Sequence, residues 1–164
     1  MTQTLTEQAI EPAVRAWTRL LRASASTTRL LSADLQEAHS LTINDFEALL
    51  RLARADDRRL RRVDLAAELL LTASGVTRLL DGLERAGFVE RATCASDRRV
   101  VYAVLTDAGR AKLEEASKSH VVAVRELFDG RFSDEEATQL AHLLGRLPGG
   151  EDAAAEECAP PERR

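Results

Sequence analysis

The residues best equipped for chemistry in this chain fall in two short stretches. One holds Thr72, Ser74, Gly75, Thr77 and Arg78; the other is a charged run that includes Asp97, Arg98 and Arg99. Hydroxyls, glycine backbone and guanidinium groups hydrogen-bond phosphates and base edges rather than break bonds. Small residues at a helix N-terminus let the backbone approach a phosphate closely. An arginine pair at a hairpin tip suits the minor groove, where negative potential is focused. Catalytic groupings, by contrast, do not assemble. His39, His120 and His142 are far apart, and none stands at metal-ligand spacing from a cysteine or an acid. There is no glycine-rich phosphate loop and no nucleophile elbow. The adjacent acids Asp56-Asp57, Glu114-Glu115 and Glu135-Glu136 have the pattern of solubility charge. The expectation is a protein that is not an enzyme and uses no metal or cofactor.

The elements that must position these residues lie between Val63 and Leu105. Val63, Leu65, Ala66, Leu69 and Leu70 are apolar at helical spacing, with Asp64 available to charge the first turn. Leu71 to Ser74 makes a turn, and Thr72 and Ser74 are both candidate N-caps for a second helix. In that helix Val76, Leu79, Leu80 and Leu83 fall at i, i+3, i+4 and i+7, one inward stripe. The opposite face carries Ser74, Thr77, Arg78, Asp81 and Arg85, and Gly87 stands where a C-terminal glycine stops a helix. Phe88, Val89 and Ala92 begin a strand, residues 96–99 form a charged turn, and Val100 to Leu105 is a second strand. That order is a winged helix-turn-helix, whose second helix suits a major groove about 12 Å wide.

The stretches SGVTRLLDGLERAGFVER (74–91), SDRR (96–99) and VYAVLTDAGRAKLE (101–114) resemble the MarR family of bacterial transcriptional regulators. The match is strong over 63–114 and consistent elsewhere. The resemblance implies an Asp-x-Arg wing, here Asp97 and Arg99, in which the carboxylate orients the guanidinium toward the minor groove by a bidentate pair. It also implies a homodimer on a near-palindromic operator, usually a repressor, released by a small ligand or an oxidant.

Length and charge agree with this. A chain of 164 residues has room for one domain with a sizeable core. Helical signal dominates and strand signal is confined to the hairpin, so the fold class is mostly α with a minor β element. The net charge of −4 looks wrong for a DNA binder, yet residues 51–110 hold twelve Arg against nine Asp and Glu, a net +3 that leaves −7 for the remainder. The sign at the contact matters more than the total. No apolar run approaches a membrane span, no signal peptide is evident, and two cysteines are too few for a disulfide framework, so the expected location is the cytoplasm with no membrane partner.

Taken from the N-terminus, residues 1–10 read as a flexible arm and 11–40 as an N-terminal dimerisation helix opened by Pro12. Residues 41–110 form the winged DNA-binding region, beginning with a helix capped by Thr42 and Asp45 that buries Phe46, Leu49, Leu50 and Ala53. The connector ARADDRRLRR (53–62) reads as a solvated loop, with phosphate contact by its arginines as the alternative. Residues 111–148 read as C-terminal dimerisation helices, the first capped by Thr106 and ended by Gly130, the second capped by Ser133 and Glu136 and running through Leu147. The acidic stretch 149–164 reads as disordered. The apolar faces of 13–37 and 115–147 exceed what one winged module consumes, which predicts interlocking with a second copy.

Two regulatory expectations remain. A small aromatic or lipophilic effector would sit between the dimer helices and the winged unit, with Trp17 as a wall and His39 and Phe46 nearby; an interface role for Trp17 is the alternative. Some MarR relatives bind urate through a first-helix Trp. Cys94, beside Arg91, is a candidate redox thiol, with an unreactive strand-end residue as the alternative. From a different class of function, a winged helix used for protein–protein contact is the competing interpretation.

Overall fold

A computed structural model describes residues 11–93 and 100–150. Helix α1 spans Pro12–His39, with Pro12 in the first turn, and stops at Ser40, whose φ of 57° is left-handed. Helix α2 spans Ile43–Arg54 and opens on the expected capping box, in which Thr42 Oγ1 accepts from Asp45 N–H and Asp45 Oδ2 accepts from Thr42 N–H. Phe46, Leu49 and Leu50 are buried as their spacing requires, and Ala53 packs at the margin of the core.

The connector departs from its expected loop. A single 3-10 turn at Asp56–Arg58 leads into a strand, β1, at Arg59–Arg61, and Asp57 and Arg58 take positive φ to turn the chain. Three residues with one apolar member carry too little alternation to announce a strand. β1 forms because β3 (Val101–Leu105) has a second edge to fill: Leu60 pairs with Ala103 and packs against the core between two outward arginines. β2 (Val89–Thr93) pairs antiparallel with the other edge of β3, from Val89↔Leu105 to Thr93↔Val101, giving the sheet order β1-β3-β2.

Helix α3 covers Arg62–Glu68, shorter than its apolar pattern suggested. Leu65 and Leu69 face inward, but Val63 is 63% exposed, and Leu70 lies past the helix end at φ 52° and 92% exposed. Both depart from the expected stripe for a geometric reason. Val63 is about 200° around the helix from Leu65, and Leu70 follows the last helical turn. Helix α4, Ala73–Arg85, keeps its stripe: Val76, Leu80 and Leu83 are buried and Leu79 packs beside them. Thr72 is its cap, accepting from Gly75 N–H at 3.1 Å, while Ser74 stays outside that role. Gly87, at φ 75°, ends the helix as expected, and Phe88 N–H closes back on Leu83 O at 2.9 Å.

Helix α5, Asp107–Phe128, is seated by a compact joint. Thr106 Oγ1 accepts from Gly109 N–H at 2.9 Å and donates to Gly87 O at 2.7 Å, tying the start of α5 to the end of α4. The buried Gly109 lets the first turn lie directly on the Phe88 backbone. This accounts physically for the run of Leu105, Thr106 and Gly109 where the strand gives way to α5. Helix α6, Asp134–Leu144, has the Ser133/Glu136 capping box but stops three residues before Leu147. The core gathers α2, α3, α4, the sheet and the first half of α5. Of the 28 residues of α1 only Leu35 and His39 are buried, and none of α6 is.

Two glycine substitutions should separate close packing from helix propensity. A Cβ at Gly109 would collide with Phe88 O and stand 2.8 Å from Leu105 Cδ1, so Gly109→Ala should destabilise by about 3 kcal/mol. Nothing lies within 4 Å of a Cβ at Gly82, in the middle of α4. Gly82→Ala should therefore stabilise by about 0.5–1 kcal/mol. Urea unfolding midpoints of the two variants measure both; equal shifts would reject the joint.

Candidate nucleic-acid interface

The burial of Val76, Leu80 and Leu83 leaves the other side of α4 facing solvent. Ser74 and Arg78 are exposed, with Gly75 and Thr77 half-buried beside them. Thr77 Oγ1 donates to Ala73 O at 2.8 Å, so that hydroxyl is held against the helix with its lone pairs outward. Arg78 makes no hydrogen bond or ion pair with any of the described residues, and nothing competes there for its guanidinium. The first turn also presents N–H groups at the positive end of the helix dipole. Thr72, Ser74, Gly75, Thr77 and Arg78 are thus brought together at one end of α4. The wing residues Asp97, Arg98 and Arg99, together with Cys94, lie outside the described residues.

Three of the connector arginines are engaged within the protein. Arg58 pairs with Asp107 at 2.8 Å, which holds the carboxyl below its ordinary range; Arg59 pairs with Asp57 and lies over the Tyr102 ring. Arg61 grips Asp64 through two hydrogen bonds, at 2.6 and 2.9 Å. A second cluster was not legible beforehand: Arg91 on β2 bridges Asp81 and Glu84 of α4, with its Nε 3.1 Å from Glu84 Oε2. The turn at Gly87, which folds β2 back beside α4, brings residue 91 to that helix.

The candidate effector residues divide. His39 and Phe46 are both buried where α1, α2 and α5 meet, but Trp17 is 61% exposed and 22 positions from His39 on the same helix. At 1.5 Å per residue that is about 33 Å. Within one chain, Trp17 does not join the other two. In their place stands His120, whose ring centroid is 4.7 Å from that of Phe46. His39 Nε2 and Ser119 Oγ are 2.5 Å apart, and Glu115 Oε1 stands 3.5 Å from His39 Nδ1. The Nδ1 atoms of both histidines and Ser117 Oγ are buried without a hydrogen-bond partner among the described residues. Burial lowers the His120 pKa, an effect that Asp34 partly opposes. No group of three or more His, Cys, Asp or Glu among the described residues forms a metal site. No helix among them is long and apolar enough to cross a membrane.

Comparison with known proteins agrees with this geometry. A family model described as MarR family matches residues 41–101. The Bacillus subtilis HTH-type transcriptional regulator YkoM is 32% identical over 84% of this chain and 87% of its own length. The HTH-type transcriptional repressor YetL of Bacillus subtilis is 36% identical, over 65% of this chain and 64% of its own length, a little under two thirds of that protein. Among solved structures, the MarR family regulator Sco3205 of Streptomyces coelicolor, in complex with DNA, superposes with a TM-score of 0.73 at 31% identity, over 84% of this chain and 88% of that one.

The His120 environment sets a pH dependence. Because burial depresses its pKa below the ordinary 6.5, the unfolded chain takes up the proton more readily than the folded one. Its contribution is therefore intact above about pH 6.5 and is lost as pH falls through the lowered value. Thermal melts between pH 7.5 and 5.5 should show a falling Tm, and His120→Gln should fall less steeply. Parallel curves would remove His120 as the cause.

Proposed function

This chain belongs to the MarR family of helix-turn-helix transcriptional regulators, and on that basis we propose that it represses transcription by binding a near-palindromic duplex operator as a homodimer. The observation that carries the proposal is the outward face of α4, where a capped N-terminus, short hydroxyl side chains and Arg78, which pairs with none of the described residues, stand on a helix anchored by its buried stripe. Such a face matches major-groove recognition, in which the backbone and small residues meet phosphates while arginine pairs with guanine edges. Arg99, with Arg98 beside it, adds a minor-groove contact from the wing, oriented by Asp97. A protein-docking winged helix would instead expose apolar groups at this position.

The dimer rests on unpartnered apolar surface. Val14, Trp17, Leu21 and Leu30 of α1, Val122 of α5, and Leu143 and Leu144 of α6 are exposed in the single chain. A second copy covers them and sets two reading helices roughly 34–36 Å apart, one turn of duplex. The repressor named YetL supports the direction of regulation. A small aromatic or lipophilic effector acting near His39 and Phe46, which are buried among α1, α2 and α5, would release the DNA.

Selection of bound fragments from the source genome supplies the operator. On it, Arg78→Ala and Arg99→Ala should each weaken binding by about 1–3 kcal/mol in fluorescence anisotropy at fixed salt. Affinity should drop steeply between 50 and 200 mM salt, the mark of phosphate contacts. Sedimentation should show a dimer at micromolar concentration. A folded monomer, or unchanged affinity in both variants, would overturn the proposal.

A further inference from the structure

We infer that Arg91 is the positioning residue that makes the outward face of α4 compatible with DNA. This inference rests on the DNA-binding reading above. Ser74, Thr77, Arg78, Asp81 and Arg85 recur at helical spacing along one side of α4, so Asp81 stands within the stripe that would face phosphates. Glu84 follows one turn later. Two unscreened carboxylates there would oppose a polyanion. Arg91 reaches across from β2 and engages both: one terminal nitrogen meets Asp81 Oδ1, and Nε lies 3.1 Å from Glu84 Oε2. The Asp81 main-chain carbonyl also accepts from Arg85 Nε at 3.1 Å, so the last turn of the helix is held by cations on both sides. A guanidinium fork can serve two carboxylates in fixed directions, which a lysine ammonium does not.

The stability of the fold does not require this arrangement. The three side chains are 38–48% exposed, and ion pairs at such sites contribute little to folding. Its consequence lies in the field the helix presents to DNA. Removing Arg91 leaves the local charge one unit more negative and lets two carboxylates swing toward the backbone phosphates.

The test is a cycle measured on the selected operator. Arg91→Ala should weaken binding about tenfold at 50 mM salt, with the deficit shrinking at 200 mM as screening grows. In an Asp81→Asn/Glu84→Gln background the same Arg91→Ala change should cost less than about threefold. Thermal midpoints should stay within about 2 °C of wild type throughout. An equal loss in both backgrounds would mean that Arg91 touches phosphate directly and would overturn the inference, as would no loss in either. Arg78→Ala serves as the independent control. If wild type binds and Arg78→Ala weakens it while Arg91→Ala does not, only the present inference fails. If wild type does not bind, the DNA-binding reading fails and this inference with it.

Discussion

The structure depends on one constraint: α4 must bury Val76, Leu80 and Leu83, and a helix with one inward stripe has no choice about what faces out. Each of these side chains contributes about 1.5–3 kcal/mol on leaving water. The stripe meets side chains from α2, α3, the sheet and α5 in one continuous core. The rotation of the helix is thereby set, and with it the outward presentation of Ser74, Thr77 and Arg78. Specificity for a ligand outside the protein is in this sense decided by packing inside it.

What was legible in the amino-acid chain follows the range of the interactions. Caps are local, and the boxes at Thr42/Asp45 and Ser133/Glu136, the Thr106 cap and the helix stop at Gly87 all appear where residue types placed them. The stripe of α4 is local as well. Strand β1 was hidden because its three residues pair with β3 more than forty positions away. Leu70 is apolar yet exposed because the chain takes a left-handed residue there to leave α3. Trp17 and His39 share α1, and the length of that unbroken helix separates them within one chain. The bridge from Arg91 to Asp81 and Glu84 depends on how the Gly87 turn folds β2 against α4, which residue types alone do not announce.

The family relationship and the physical interpretation bear on different questions. Similarity to regulators such as YkoM and the DNA-bound Sco3205 accounts for why this order of elements exists. How the buried histidines sit at the junction of α1, α2 and α5, and how charge is paired on α4, are matters of packing and pairing within the fold. A net acidic protein meets a polyanion here by local arrangement: Arg58, Arg59 and Arg61 are engaged by neighbouring acids, while Arg78 makes no ion pair with any described residue.

Helix α5 runs through both parts of the molecule. Its first half, from Gly109 to His120, is sunk in the core beside the winged unit, and its second half emerges toward the exposed apolar surface. Twenty-two residues make a rod about 33 Å long. Pinned at the Thr106–Gly109 joint, such a rod is a lever with a short fulcrum: a tilt of about 5° carries its far end roughly 3 Å. His120 stands about 21 Å along the rod from Thr106, so a shift of about 1 Å there arrives at the far end, beside the exposed apolar surface, as about 1.6 Å.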